Sequence, residues 1–195
     1  MEITTKDALI YKGIEIIHSK GFSNTGIQEI LKACSIPKGS FYFYFSSKDD
    51  FGLQMIEYYA AFNQEMIEDC LTDLALSPMT RFRVLFDELS YGFSKNEFKG
   101  GCLLGNLAQE TCDLKPSFQR KLKIEFANIQ RLFADCLQEA KEADEISAKV
   151  NVDLMAEFML NSWEGALLRM KVEKSTAPLK NCMDMLLNCM LVSDK

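Results

Sequence analysis

"KGSFYFYFSSKDD", residues 38–50, sets five aromatic residues, Phe41 to Phe45, in one unbroken row between a small basic opening and a charged tail. Such a row suits a strand buried on both faces, or a short helix that sinks one side into a core and turns the other outward. The flanking residues decide between them. Pro37 presets the backbone for a helix start, and Ser46-Ser47-Lys48 reads as a break before a longer helical stretch. On a helix, Phe41 and Phe45 share a face that can pack on Ile14, Ile27 and Ile30. Tyr42 and Tyr44 cannot share that face fully, so their hydroxyls need water or a partner outside the chain.

Upstream, Ile10, Gly13, Ile14 and Ile17 recur at helical spacing and predict a helix from about Lys6 to Ser19, stopped by Gly21. Thr25 stands where a second helix would be capped, with Ile27, Ile30 and Leu31 on its buried side and an end near Ala33. Cys34-Ser35-Ile36 is a short turn, Pro37 opens a third, very short helix, and a fourth runs from about Lys48 to Leu74. Helix, short turn, helix is the layout of a helix-turn-helix. Pro78, Pro116 and Pro178 also sit where helices begin, and neither an alternating strand pattern nor a hairpin turn interrupts them. The predicted fold is all-α. An N-terminal helix-turn-helix three-helix unit, residues 1–48, precedes a larger helical domain, residues 49–195.

The net charge of −6 looks wrong for a nucleic-acid partner until the chain is divided. Residues 1–50 hold six lysines against six acidic residues, so all the excess acidity lies further on. A neutral N-terminal unit can still present a basic edge, and phosphate oxygens are good partners for tyrosine hydroxyls, Lys38 and Lys48. Gly39 and Ser40 are small enough to let a helix start approach base edges in the major groove.

Seven cysteines without CxxC spacing, and a single histidine, His18, indicate neither a disulfide framework nor a metal site. His18 falls on the polar side of the first helix. With no nucleophile elbow, phosphate loop or paired carboxylates, the sequence predicts no enzyme and no cofactor. No apolar run reaches the roughly 18 residues needed to cross a bilayer, and the N-terminus lacks a signal-peptide layout, so no membrane partner and a cytoplasmic location are expected.

The stretch "GFSNTGIQEILKACSIPKGSFYFYFSSKDDF", residues 21–51, resembles the DNA-binding segment of the TetR family of bacterial transcriptional repressors. Gly21-Phe22, Thr25, Gly39, Phe41, Tyr42, Tyr44, Phe45 and Lys48 match the family pattern at its spacings, over roughly residues 8–55. Tyr44 stands where many members have histidine, Ser35 where glycine is common, and Cys34 where alanine is usual. The resemblance implies a DNA surface of Lys38, Gly39, Ser40, Tyr42, Tyr44 and Lys48, with Thr25 and Gln28 on the supporting helix. It also implies that the remainder senses a small effector and forms a homodimer on double-stranded operator DNA.

Residues of the second domain agree. Leu154, Met155, Phe158, Met159, Ser162, Trp163, Ala166, Leu167 and Met170 form a broad apolar band at helical spacing. Leu179, Cys182, Met183, Leu186, Leu187 and Met190 form another. Such faces can pair with their copies across a two-fold axis, or face their own core.

"KGGCLLGNLAQETCDLKPSFQRKL", residues 99–122, resembles a segment of the TetR subgroup that responds to N-ethylmaleimide and other electrophiles, as does the stretch 165–179. The resemblance implies a reactive thiol at Cys102 and an associated lysine at Lys171. A neighbouring ammonium or helix start favours the nucleophilic thiolate, whereas a packed cysteine only lines a core. A second reading is a non-covalent hydrophobic effector in a pocket of Phe82, Phe86, Phe93 and Trp163. A third, from another class, is a helical interaction protein that binds no DNA; it leaves the spacings between residues 21 and 48 unexplained.

Overall fold

The computed structural model describes residues 4–191, and nine α-helices account for most of them. They are α1 (Thr5–Lys20), α2 (Ile27–Ala33), α3 (Phe41–Tyr44), α4 (Lys48–Leu71), α5 (Pro78–Lys95), α6 (Leu103–Thr111), α7 (Pro116–Glu142), α8 (Val152–Glu173) and α9 (Ala177–Met185). A 3₁₀ turn, Lys38–Ser40, leads into α3, and a π turn, Leu186–Met190, follows α9. Among the described residues there is no strand. The all-α layout, with a helix-turn-helix at the N-terminus and a larger helical part after it, is the one that the spacing predicts.

Local chemistry explains most boundaries. Thr4 and Asp7 form a capping box at the start of α1, each side chain accepting the other's backbone amide at 3.2 Å. The α1 helix closes on Gly21, whose amide donates to the Ile17 carbonyl at 2.8 Å. Pro78 and Pro116 open α5 and α7, and Pro178 lies in the first turn of α9, where a missing amide costs nothing.

At the end of α2 the Ser35 amide donates to Lys32 and the Ile36 amide to Leu31, with Ser35 at φ +56°. This is the Schellman arrangement, and it puts serine in the left-handed region that glycine tolerates better.

Three expectations are corrected. Gly26 rather than Thr25 precedes α2 as its N-cap, and the Thr25 hydroxyl donates instead to the Gly21 carbonyl at 2.8 Å. The α4 helix ends at Leu71, where the Asp73 carboxylate accepts the Ala75 amide and turns the chain out. His18 is half-buried, its ring set edge-on to Tyr59 at 6.1 Å.

The chain packs as two compact units. The first comprises the residues up to Phe62 together with Leu103–Glu125, so α6 and the start of α7 join the helix-turn-helix. Its core centres on the aromatic row of α3. Phe41 and Phe45 are buried with centroids 5.1 Å apart, and Phe51 lies 5.0 Å from Phe45. Each such ring contributes about 1.5–3 kcal/mol through burial.

The second unit is Asn63–Cys102 with Phe126 onward. Phe82, Phe86, Phe133 and Trp163 pack together at its centre, with Phe86 and Trp163 only 4.7 Å apart. Arg81, 3% exposed, donates to the carbonyls of Leu71, Asp73 and Leu76 and to Glu139 at 2.6 Å, tying the end of α4 to α5 and α7.

Candidate DNA-reading surface and sensor site

The α3 helix sorts its aromatics by face. Phe41 points into the core, while Tyr42 and Phe43 are 66% and 83% exposed. Tyr44 is half-buried, with its ring edge-on to Phe43 at 5.0 Å. Lys38, Gly39 and Gln28 are exposed and Ser40 is half-exposed. A β-carbon on Gly39 would meet nothing within 4 Å, so packing inside the chain does not account for a glycine there.

Phe43 is the residue that sequence reasoning passed over. Its apolar ring lies outward between two tyrosines, on a helix that follows the turn of Lys38 and Gly39, and a ring so placed can meet thymine methyl groups. The available signal was its register: two residues after Phe41 and two before Phe45, it must face away from both.

Two expected members of this surface turn inward. Thr25 is completely buried, and its hydroxyl is committed to Gly21, so it shapes the turn and offers no atom to a duplex. Lys48, half-buried, donates to the Phe22 carbonyl at 2.6 Å and lies 4.6 Å over the Phe22 ring. Burial pushes its ammonium down from the ordinary lysine range, opposed by the charges of Glu110 and Asp49 and reinforced by that of Lys115.

At the proposed sensor, Gly100 and Gly101 both adopt left-handed φ, +80° and +79°. A β-carbon on Gly101 would lie 3.3 Å from Cδ of Lys171, so the missing side chain gives the lysine stem its path past the backbone. Lys171 thus passes the residue next to Cys102. Cys102 itself is half-buried and directly precedes α6.

Glu164, which no spacing or motif singled out, accepts a hydrogen bond from the Cys102 thiol. Burial raises the Glu164 carboxyl above the ordinary range, and that hydrogen bond pulls the other way. Glu164 and Lys171 lie seven apart on one face of α8, so a thiol, a carboxyl and an ammonium stem gather around one glycine pair. Among the other thiols, Cys136 is buried and pushed up to about 12 by that burial, which leaves it inert. Cys182 is half-buried and Cys189 exposed.

Phe82, Phe86 and Trp163 do come together, but as a filled core. Of the four expected pocket residues, Phe86 borders a groove of about 330 Å³ between α5 and α9 that Arg83, Asp87, Lys180, Met183 and Asp184 also line. Phe93 is half-buried further along α5.

The α8 band divides in two. Met159, Trp163, Ala166, Leu167 and Met170 face the core. Leu154, Phe158, Leu168 and Val172 are exposed, and together with exposed Asn161 and Gly165 they recur in alternating steps of four and three. That is the seam spacing of a helix that packs on another helix. The Met190 side chain lies outside the described ones, while Leu179, Met183, Leu186 and Leu187 are buried.

Comparison with known proteins agrees with both halves. Residues 9–55 match the family model for bacterial regulatory proteins of the tetR family, and residues 78–186 match the tetracyclin repressor-like C-terminal domain. The chain is 40% identical to the transcriptional regulator AcuR of Cereibacter sphaeroides over 172 residues, which is 88% of this chain and 78% of that protein. It is 31% identical to the HTH-type transcriptional repressor DhaR of a Mycobacterium species, over 95% of this chain and 91% of that one. The crystal structure of the reduced form of Escherichia coli NemR superposes with a TM-score of 0.86 at 27% identity, covering 94% of this chain and 96% of the other. With the exposed tyrosine and phenylalanine of α3 above a buried aromatic core, these matches place the chain in the TetR family of bacterial transcriptional regulators.

Proposed function

We propose that this regulator is a cytoplasmic repressor that binds a palindromic operator as a homodimer and leaves it when an electrophile or oxidant reacts at Cys102. Residues 1–48 carry the DNA contacts in this reading, and residues 49–195 sense the effector and dimerise. The observation that carries the DNA assignment is the exposure of Tyr42 and Phe43 over buried Phe41 and Phe45. Lys38, Gly39, Ser40, Tyr42, Phe43 and Tyr44 form the reading surface, with Gln28 behind it. Phosphate contacts set the register, and Lys38 and Phe43 meet base edges. Repression is supported by the names of DhaR and NemR, both described as repressors.

The thiol reading is supported by two placements around Cys102, its half-exposure and the Lys171 stem on Gly101, while the Glu164 hydrogen bond holds the proton on the unmodified thiol. Loss of the thiol proton on modification removes that hydrogen bond and changes the packing at the head of α6. A few kcal/mol of preference between two states suffices to empty an operator. The competing effector is non-covalent, and the groove beside Phe86 favours it: cations Arg83 and Lys180 and carboxylates Asp87 and Asp184 surround an apolar floor, which suits a small polar molecule with an apolar body.

Fluorescence anisotropy of the protein on its own upstream DNA, with and without a stoichiometric maleimide, tests both readings. Tight, salt-sensitive binding released by the maleimide, and not released in Cys102→Ser, supports the thiol switch. Binding indifferent to the maleimide moves the effector to the groove.

A further inference from the structure

One carboxylate holds the α1–α2 turn from outside. Glu110, in the last turn of α6, accepts the backbone amide of Phe22 at 2.8 Å and that of Ser23 at 2.6 Å. The turn is shaped to admit it. Gly21 has φ +88°, and a β-carbon there would stand 3.0 Å from Glu110 Oε2. Two successive amides aimed at one anion make a backbone nest. From the opposite side, Lys48 of α4 donates to the Phe22 carbonyl. Next to it, Lys115 binds both oxygens of Asp49 at 2.7 and 2.8 Å. The peptides at residues 22 and 23 are thus gripped by α6 through their amides and by α4 through a carbonyl.

The fold does not need these bonds to satisfy a helix end. The end of α1 is already closed by the Gly21 amide on Ile17, and Ser23 is exposed enough for water to take its amide. What the bonds do is join elements far apart in the chain. The gripped turn carries the entry to α2, since the Thr25 hydroxyl donates back to Gly21. The Schellman turn then passes that placement on to α3.

We propose that Glu110 is a positioning residue for DNA reading: its two bonds are the joint by which α6 sets the α1–α2 turn, and with it the placement of α2 and α3. A corollary rests on the sensor reading of Cys102. The nine-residue α6 has Cys102 just before its first residue and Glu110 in its last turn. A helix is stiff over so short a span, so a shift at the thiol end arrives at the turn with little loss.

The test uses the full-length protein and two variants. Glu110→Gln keeps the shape but turns an NH₂ group toward one of the amides. Glu110→Asp keeps the charge beside Lys48 but is too short to reach both amides. Three quantities are read: amide exchange at Phe22 and Ser23, operator affinity across a salt series, and thermal midpoint. Expected in both variants are faster exchange at those two amides, an operator affinity about tenfold weaker with an unchanged salt slope, and a midpoint within a few degrees of the parent.

An affinity within twofold of the parent while the two amides have opened overturns the proposal. So does continued protection of those amides in both variants. If Glu110→Gln also loses protection across α2 and α3, its loss of affinity is a plain stability effect, and Glu110→Asp decides by the same criteria. A maleimide arm separates the corollary. A parent protein that keeps its operator after alkylation refutes the sensor reading alone, and equal release of parent and Glu110→Gln refutes only transmission through α6.

Discussion

The ammonium of Lys48 lies 2.6 Å from the Phe22 carbonyl oxygen and 4.6 Å above the Phe22 ring, bridging the first residue of α4 and the α1–α2 turn. A lysine so engaged has two possible uses, and salt separates them. Lys48→Met keeps the stem over the ring but removes the charged hydrogen bond. The expected cost is about 1–2 kcal/mol of stability, at the low end because the site is half-exposed. If Lys48 serves only the turn, the salt slope of operator binding stays unchanged. If it also meets a phosphate, the slope falls by about 1 for each phosphate that the variant leaves unneutralised.

The outward face of α3 makes a prediction of the opposite kind. Tyr42→Phe and Phe43→Ala leave the thermal midpoint alone, since neither side chain is buried and such surface changes stay within about 0.5 kcal/mol. Both weaken operator binding. Tyr42→Phe does so uniformly across operator variants, as removal of a phosphate partner should. Phe43→Ala reduces discrimination at thymine positions, by about 1 kcal/mol per half-site. Competition binding against single-base operator variants distinguishes them, and a collapse of fold in either variant contradicts the placement of both rings.

Glu110 gives the protein a pH signature. Burial on its own raises this carboxyl, but the Ser23 amide and hydroxyl, the Phe22 amide and the Lys48 charge outweigh it and hold the group below the ordinary range. The charged groups facing this corner are Lys48 and Asp49 from α4 and Lys115 from the turn after α6. An acid depressed on folding stabilises fully above its unfolded value, about 4.3, and loses that contribution as the pH falls through the folded value. The stability difference between the parent and Glu110→Gln is therefore flat from about pH 5 to 8 and shrinks in acid. Urea midpoints across that range measure it, and a difference that grows toward low pH contradicts the sign.

The outer stripe of α8 is the face on which copies of the chain are expected to pair. Leu168 is 46% exposed in the single chain, and a β-carbon on Gly165, one turn earlier, would meet nothing within 4 Å. Leu168→Glu buries a charge on each side of a two-fold contact, which costs several kcal/mol unless it is relieved. Sedimentation equilibrium should show monomer at concentrations where the parent is dimeric, with helix content retained. Persistence of the dimer would move the contact off this stripe.

Much of the fold was legible because its signals are local. The proline positions opened helices where expected, Gly21 closed α1, and the four-residue step from Phe41 to Phe45 identified the buried side of α3. The failures were also local rules, overruled by tertiary contacts. Thr25 has the composition of an N-cap, yet Gly21 lies close enough to take its hydroxyl. Lys48 has the charge for a phosphate, yet in the folded chain its ammonium donates to the Phe22 carbonyl. The spacing of Phe82, Phe86 and Trp163 suits a pocket as well as a core, and only packing shows that the rings fill the space themselves.

By itself the sequence determined the helices, the helix-turn-helix and the segment whose outer face is proposed to read DNA, because caps, turns and apolar periodicity act within a few residues of one another. Tertiary structure alone decided that Glu110 meets the amides of Phe22 and Ser23 across 88 and 87 residues of chain, and that Glu164 meets the thiol of Cys102. Such pairs form only where packed helices bring distant side chains within about 3 Å, and no spacing along the chain encodes that distance.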